Sequence, residues 1–420
     1  MTFKNSLLKK FLAGSLIFYL LSGLTSLVNY LFYPVIARFV SVAEYGEVQF
    51  LVSMFTQLSV GFIVLNILAI VVSVKITSQE KQQEAISTLN SISQLVALII
   101  ATAGVIFLIT AQQSLSLSSA WPIALLGVGL LANVPFTIVI GRLQGNGKFI
   151  TSGVVSLASV IIKLLASLLL AILGYGVTGI IGGIAIGLLA AWLIGEAVIH
   201  FGKKPRHILH IFKHRLHLSD ITFLKHYAGS ALFAITILTL LSSADSIVSR
   251  VVLNSHDAGQ YASIATITKT LLAIATPIMW LALPGAVNKD VRSIRRYILI
   301  TAAVCIPVAA MVIALPNFFT TVLIGVDPGT YMPLIIPATI AMMFCALAFL
   351  TLTAIICLQK IRATFIICTL GVIVYTGCYL ALNASLHQPL LVSLYSQIAA
   401  SILIFLLSYQ IITRAPHSQG

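Results

Sequence analysis

The chain consists of long apolar runs separated by short polar segments. A helix of about 20 residues crosses a hydrocarbon core of about 30 Å, and its backbone groups are satisfied within the segment. Twelve runs meet this requirement, and each one predicts a transmembrane helix. The predicted spans are 11–37, 48–74, 85–111, 120–141, 149–173, 177–199, 223–249, 259–284, 294–316, 331–358, 363–383 and 390–413.

Positive charges follow the alternation of these spans. Counted from a cytoplasmic N-terminus, 20 of the 24 Lys and Arg residues lie in segments that would face the cytoplasm. Arg38 and Arg250 lie in the opposite segments, and Lys163 and Lys269 lie inside predicted spans. Because cytoplasmic loops of membrane proteins collect Lys and Arg, we predict an even number of spans with both termini in the cytoplasm.

Composition agrees with a membrane protein and excludes a soluble enzyme. Hydrophobic residues make up 59% of the chain and charged residues 8%, whereas an ordinary soluble domain carries about a quarter charged residues. The net charge of +14 is spread beside many apolar helix ends, which indicates anionic membrane lipids as partners and not nucleic acid. The five cysteines lie in apolar spans without metal-ligand spacing, as is typical of packing residues.

A basic stretch near the middle divides the spans into two sets of six. We predict an N-terminal six-helix bundle at 1–200, a cytoplasmic basic amphipathic linker at 201–222 and a C-terminal six-helix bundle at 223–420. The linker places four histidines on one helical face, and a helix lying on the inner leaflet is favoured over a metal site or pH sensor because no carboxylate or cysteine completes a ligand set. These histidines are His207, His210, His214 and His217.

A short motif recurs after the first span of each half. The first copy lies at 37–47 and the second at 249–261, and each reads Arg, a short apolar stretch, an acidic residue, one spacer and Gly. Equivalent positions in two halves with an even number of spans predict parallel repeats, related by a pseudo-two-fold axis along the membrane normal. Transporters of this design bind substrate between the repeats, so the pattern favours transport over catalysis.

Three segments of the sequence resemble a known family. They are Ala37-Arg38 through Glu44-Tyr45-Gly46; Gln144-Gly145-Asn146-Gly147-Lys148-Phe149, with Lys163 and the turn at 174–179; and Asp245 followed by Ala258-Gly259-Gln260-Tyr261. In these segments the chain resembles the polysaccharide biosynthesis or O-antigen (oligosaccharide) flippases of the multidrug/oligosaccharidyl-lipid/polysaccharide (MOP) exporter superfamily. Relatives with the same pattern carry lipid-linked peptidoglycan precursors or cationic drugs.

The resemblance implies an all-α polytopic membrane protein of about 12 transmembrane helices in two parallel six-helix repeats. It implies a flippase of the bacterial cytoplasmic (inner) membrane, which moves a polyprenyl-diphosphate-linked oligosaccharide to the outer leaflet by alternating access for lipopolysaccharide O-antigen or another surface polysaccharide. Polysaccharide polymerase machinery is a candidate partner. No cofactor is implied, and H⁺ and Na⁺ are candidate coupling ions.

Two lysines lie deep inside predicted spans, one in each half. Lys163 and Lys269 are about ten residues from the ends of their spans, too far for easy contact with the interface. Ionisable groups in a membrane usually face a cavity or a partner. Two such cations would hold a pyrophosphate or an acidic sugar of the cargo; the alternative is a structural bond to a carbonyl or carboxylate.

Polar residues on spans one and seven are further candidates. Asp245 would bind a coupling proton or Na⁺, form an ion pair with Lys269, or lie at the membrane interface. On span one, four polar residues form a stripe that either lines a cavity or bonds to a neighbouring helix: Ser22, Ser26, Asn29 and Tyr33. We assign Asn29 and Tyr33 to cargo binding.

Two pairs of charged residues lie near span ends. Arg38 and Arg250 occupy matched positions of the repeat, where they would clamp phosphate at the outer side or cap the C-terminal dipoles of their helices. Arg142 and Glu196 lie at the same predicted depth near the cytoplasm, where they would form an inner gate or a plain surface ion pair.

Functions of other classes fit the sequence less well. A cation-coupled drug antiporter would need several buried carboxylates for a positive cargo, and the spans offer only Asp245 and Glu196. A membrane glycosyltransferase, polymerase or ligase needs catalytic side chains on a substantial outer loop, whereas the predicted outer segments are short and lack neighbouring acidic pairs. We therefore expect a transporter and not an enzyme.

Overall fold

A computed structural model of the chain describes residues 2–76, 78–200, 222–287, 291–358 and 360–414. Within these ranges the regular structure is helical throughout. The helices are α1 (Thr2–Ala37), α2 (Val42–Leu58), α3 (Phe62–Lys75), α4 (Gln79–Thr110), α5 (Ala120–Gly145), α6 (Phe149–Leu170), α7 (Gly176–His200), α8 (Thr222–Val252), α9 (Ser255–Thr268), α10 (Thr270–Val287), α11 (Val291–Ala314), α12 (Ile335–Cys357), α13 (Ile361–Leu386) and α14 (Pro389–Thr413). The predicted linker falls, apart from residue 222, outside the described residues.

The helices confirm an all-α multi-pass membrane protein. In the described part of the chain, nine helical segments are long and apolar enough to cross a membrane, and one of them, Phe149–Ile199, is long enough for two crossings. Its two halves, α6 and α7, are separated by a turn in which Gly174 and Gly176 have φ angles of 87° and 47°. Glycine adopts positive φ without steric cost, which explains why the chain reverses at this point.

The predicted second and eighth spans are each interrupted, so that each consists of two shorter helices. α2 and α3 are separated by Ser59, Val60 and Gly61, and α9 and α10 are separated by Lys269. The four helices contain 17, 14, 14 and 18 residues. Each helix pair together is long enough for one crossing. These two pairs, together with the second crossing of Phe149–Ile199, account for the difference between the nine long segments and the twelve predicted spans.

The two copies of the sequence motif begin α2 and α9 in the same way. Ser41 is the N-cap of α2: its Oγ accepts a bond from the Glu44 amide, and Glu44 Oε2 accepts one from the Ser41 amide at 2.8 Å. Asn254 is the N-cap of α9, and its Oδ1 accepts a bond from the Asp257 amide at 2.9 Å. The acidic residue of each copy therefore stabilises a helix start, as in a capping box.

The helices divide into two compact units. Unit 1 contains α1 and α3–α7, and unit 2 contains α2, α8–α14 and the loop at 114–116. The predicted division in the middle of the chain would place α2 and this loop with the N-terminal helices. They are instead grouped with the C-terminal helices. The predicted boundaries at 200 and 223 stay a prediction.

Unit 1 is built around α5. In the apolar window of this helix 61% of residues are buried, against 22% in α4, and α5 packs against α3, α4 and α7. Val139, Leu143, Val155 and Ala191 form a core cluster between α5, α6 and α7. The remaining apolar faces are exposed in the protein itself, as expected for helices that contact lipid.

Unit 2 is built around α12, which packs against α10, α11 and α14 and has 67% of its apolar window buried. Elsewhere in unit 2, α2 packs against α8 and α9. A Cβ atom on Gly46 would lie 2.7 Å from the Gly259 nitrogen, and one on Gly259 would lie 1.8 Å from the Val42 carbonyl oxygen. The glycine of one motif copy therefore packs directly on the glycine of the other, and neither position has space for a side chain.

Candidate functional site

Lys163 lies on α6 in unit 1 and contacts α1. Its Nζ donates a hydrogen bond to the Asn29 Oδ1 and lies 4.3 Å from the centroid of the Phe32 ring. An amide oxygen and an aromatic face both stabilise an ammonium group without neutralising it. The side chain is therefore held in place by two uncharged groups.

The neighbouring helix α7 approaches Lys163 closely because of Gly187. A Cβ atom at Gly187 would lie 2.7 Å from the Lys163 Cβ and 2.9 Å from its backbone nitrogen. The Ser159 hydroxyl, one turn earlier on α6, donates to the Gly187 carbonyl at 3.4 Å. These contacts fix the position of α6 at Lys163.

The polar stripe on α1 lies partly beside Lys163. Asn29 is exposed, whereas Ser22, Ser26 and Tyr33 are partly buried. Asn29 bonds to a neighbouring helix, which was one of the two alternatives, and its exposure leaves the other alternative, a cavity lining, open. The sequence did not single out Phe32, which is 1% exposed, because nothing distinguishes it from other apolar residues of the span.

Lys269 lies in unit 2, at the interruption between α9 and α10. Its Nζ donates to the Ser246 Oγ at 2.8 Å, and this hydroxyl lies 3.5 Å from the Asp245 Oδ1. The Tyr261 hydroxyl donates to the Asp245 Oδ2 at 2.8 Å. Ammonium and carboxylate are thus joined through one hydroxyl group, which is close to the predicted ion pair but is not a direct salt bridge.

The Asp245 carboxylate is withdrawn from solvent. Its exposed fraction is 0%, and those of Ser246 and Tyr261 are 7% and 0%. A buried carboxylate is stabilised by hydrogen-bond donors and by a nearby cation, and Tyr261, Ser246 and Lys269 supply both. The carboxylate is therefore held within unit 2 by hydrogen bonds that also involve the lysine through Ser246.

Arg250 is buried within unit 2, with 3% exposure. Its Nε donates to the Leu115 carbonyl at 2.7 Å, and its Nη2 donates to the Ser116 carbonyl. The same Nη2 lies 4.0 Å from the Glu47 Oε2. The guanidinium group thereby holds the loop at 114–116, in which Ser116 has a φ of 50°. Phosphate binding by Arg250 and by Arg38, which is exposed just after α1, stays a prediction.

Arg142 and Glu196 lie together in unit 1. The Arg142 Nη1 is 3.7 Å from the Glu196 Oε1, and their side chains are 13% and 33% exposed. The pair joins the end of α5 to α7. A gating role for it stays a prediction.

A buried network between α2 and α9 was not found from the sequence. The Tyr45 hydroxyl lies 2.6 Å from the Thr266 Oγ1, and the Gln49 amide donates to both of these oxygens. Tyr45 belongs to the repeated motif, which was a usable signal, but Gln49 and Thr266 lie outside it. The predicted histidine cluster lies outside the described residues, within which no group of three metal-binding side chains occurs.

No family model matches the sequence, and no curated protein matches it either. Solved structures do match. The eukaryotic MATE transporter AtDTX14 superposes with a TM-score of 0.69 at 12% identity, with 97% of each chain covered. The lipid II flippase MurJ, in an inward closed conformation, gives 0.65 at 16% identity, covering 95% of this chain and 87% of that one.

A multidrug resistance MATE family transporter of the MOP superfamily, in an outward-facing conformation, gives a TM-score of 0.64 at 13% identity with 95% of each chain covered. At these identities the matches establish the fold. The chain has the fold of these MATE transporters and of MurJ. The predicted fold class is therefore confirmed. Membership of the oligosaccharide flippase family and the identity of the cargo stay predictions.

Proposed function

We propose that the protein is a flippase of the bacterial cytoplasmic membrane, which moves a polyprenyl-diphosphate-linked oligosaccharide to the outer leaflet by alternating access for surface polysaccharide biosynthesis. The observation that carries the proposal is the charge of Lys163, whose partners among the described residues, Asn29 and Phe32, are both uncharged. An ionisable side chain inside a membrane span usually faces a partner or a cavity and marks a substrate pathway. We infer that the diphosphate of the cargo is the anionic partner of Lys163.

The surroundings of Lys163 suit such a headgroup. An ammonium group binds phosphate oxygens through charge-assisted hydrogen bonds, and the exposed Asn29 amide and the hydroxyls of Ser22, Ser26 and Tyr33 suit sugar hydroxyls. A positive cargo would be repelled by the same lysine. We therefore favour a lipid-linked sugar over the cationic drugs of a drug antiporter, and we propose no covalent change to the cargo.

We propose that Asp245 couples transport to protons. When Asp245 is ionised, it balances Lys269 through Ser246; when it is protonated, the Lys269 charge is released for an anionic group of the cargo. A bound Na⁺ would lie beside an ammonium group, and like charges at short range repel. Proton coupling therefore fits this site better than Na⁺ coupling.

A lipid-linked peptidoglycan precursor is the second candidate cargo. It is favoured by the TM-score of 0.65 with the lipid II flippase MurJ, and the same lysines would serve its diphosphate. The two cargoes differ in the sugar, so competition between them in one assay separates the two functions.

The test is reconstitution of the full-length protein into vesicles with a fluorescent undecaprenyl-diphosphate-linked oligosaccharide, with measurement of its movement between leaflets. We expect wild-type protein and a Lys81→Ala control, which changes an exposed lysine on α4, to move the lipid. The Lys163→Ala, Lys269→Ala double variant should be inactive while it stays folded in the membrane. Equal movement by the double variant and the control would refute the proposal, and preferential movement of lipid II would favour the second cargo.

A further inference from the structure

A cavity of about 260 Å³ lies at one end of unit 1, away from the lysine site. It is formed where α4 begins, where α5 turns into α6, and where α7 ends. Its polar lining consists of three glutamines from the first turns of α4, two residues at the end of α5 and a lysine that precedes α6: Gln79, Gln82, Gln83, Arg142, Asn146 and Lys148. We propose that this cavity binds the phosphate-bearing, hydroxylated headgroup of a lipid.

The cavity is positively charged. Arg142 and Lys148 contribute two cations to the lining, which contains no carboxylate among the described residues. Glu196 lies 3.7 Å from the Arg142 Nη1 and balances part of this charge. The remaining positive charge fits a single phosphate group.

Arg142 has a donor available for a ligand. Its Nε is buried and has no hydrogen-bond partner within the described residues. A buried donor without a partner is costly, and most such groups in proteins are satisfied. Arg142 lines the cavity, and a phosphate oxygen there would receive from its guanidinium group the charge-assisted bond that arginine forms best.

The amide side chains indicate that the ligand carries hydroxyl groups as well as phosphate. Gln82 is held in place because its Nε2 donates to the Ser73 carbonyl at 2.8 Å, across the connection between α3 and α4. Gln79, Gln83 and Asn146 are exposed at the mouth of the cavity. Amides donate to and accept from hydroxyl groups, so this rim suits a polyol such as glycerol or a sugar.

The position of the cavity indicates a ligand in the inner leaflet. The surrounding segments belong to those that the distribution of Lys and Arg places in the cytoplasm. Lys148 precedes Lys163 by fifteen residues of α6, or about 22 Å at 1.5 Å per residue. The cavity is therefore separate from the Lys163 site, and its ligand is either a membrane phospholipid or a lipid-linked sugar phosphate that waits at the cytoplasmic side.

The test measures lipid binding to the purified full-length protein by native mass spectrometry. Phosphatidylglycerol is the main probe, and phosphatidylethanolamine is the zwitterionic comparison. We expect phosphatidylglycerol to bind preferentially, and Lys148→Gln to weaken it about tenfold, as for the loss of one charge-assisted bond. Lys81→Gln is the matched control. This exposed lysine lies on α4 between the lining residues Gln79 and Gln82 but does not itself line the cavity.

Three competitors identify the source of the headgroup. Displacement of the bound phosphatidylglycerol by glycerol 3-phosphate shows that the phosphate polyol is sufficient for binding. Displacement only by intact phosphatidylglycerol indicates a membrane lipid. Displacement by undecaprenyl-diphosphate-linked sugar indicates the cargo. An Arg142→Lys variant, which keeps the charge opposite Glu196 but lacks the Nε donor, should also bind more weakly. Equal binding of phosphatidylglycerol by wild type, Lys148→Gln and Arg142→Lys would overturn the proposal.

Discussion

The two membrane-embedded lysines occupy different environments. Lys163 lies on the continuous helix α6, and its partners, Asn29 and Phe32, are uncharged. Lys269 lies at an interruption between two helices and is joined to Asp245 through Ser246. The difference suggests two roles: a cation that among the described residues is bound only by uncharged groups, and a cation whose charge is opposed by a neighbouring carboxylate through one hydroxyl group.

Replacement of Lys163 tests the first role and should have the largest effect. Lys163→Ala removes the ammonium and should weaken binding of the lipid-linked sugar about 30-fold, since a hydrogen bond to a charged group contributes about 2 kcal/mol. Lys163→Arg should retain most of the affinity. Equilibrium binding of the fluorescent lipid measures this, with Lys81→Ala as control. Unchanged affinity in Lys163→Ala would contradict the role of Lys163 as a cation that binds the cargo.

The packing beneath Lys163 is tested by Gly187→Ala. The added Cβ would lie 2.7–2.9 Å from Lys163 atoms, so the variant should lower the free energy of unfolding by about 1.5 kcal/mol through overpacking. Gly182→Ala on the same helix is the control, because its Cβ would lie 3.4 Å from the nearest atom. Thermal unfolding of the purified proteins measures both. Similar stability of the two variants would show that α7 can shift without disturbing α6.

Neutralising Asp245 tests the second role. Asp245→Asn imitates the protonated carboxyl group and should leave the Lys269 charge available, so we expect about tenfold tighter cargo binding, equivalent to about 1.4 kcal/mol, and transport that no longer responds to a pH gradient. Glu80→Gln changes an exposed carboxylate on α4 and serves as control. Retained dependence on the pH gradient in Asp245→Asn would contradict the assignment of Asp245 as the coupling group.

The smallest effect is expected from the uncharged partner of Lys163. Asn29→Ala removes one hydrogen bond to the ammonium, and the Phe32 ring still holds it, so cargo affinity should fall about fivefold, which corresponds to about 1 kcal/mol. Thr25→Ala is the control, since the Thr25 hydroxyl bonds to the Leu21 carbonyl of its own helix. A loss as large as that of Lys163→Ala would mean that Asn29 contributes as much to cargo binding as the ammonium group does.

Much of the fold was predictable, because its signals are local. The predicted spans that begin at 120, 149 and 390 agree within one residue with the helices that start at Ala120, Phe149 and Pro389. The interruption at Lys269 was not predictable, since the flanking threonines carry no turn signal comparable to Gly174 and Gly176. The acidic residues of the repeated motif were visible in the sequence, and Ser41 and Glu44 have the local spacing of a capping box, from which the start of α2 was also predictable.

The candidate site was predictable only in part. Burial cost singled out Lys163, Lys269 and Asp245 from the sequence. Of their partners, Tyr261 was visible only as part of the repeated motif, and Phe32 and Ser246 are ordinary membrane residues. Arg250 was expected to face outward, whereas the structure buries it against Leu115 and Ser116. A sequence position after a span does not show which distant loop will fold over it.

The sequence by itself determined the membrane environment, the approximate spans and their predicted direction, because hydrophobic length and the distribution of positive charge depend only on the order of residues along the chain. Only the tertiary structure decided that Gly46 meets Gly259, that Lys269 reaches Asp245 through Ser246, and that Lys163 has no charged partner among the described residues. These contacts join residues far apart in the chain, and their existence depends on which helix faces pack together.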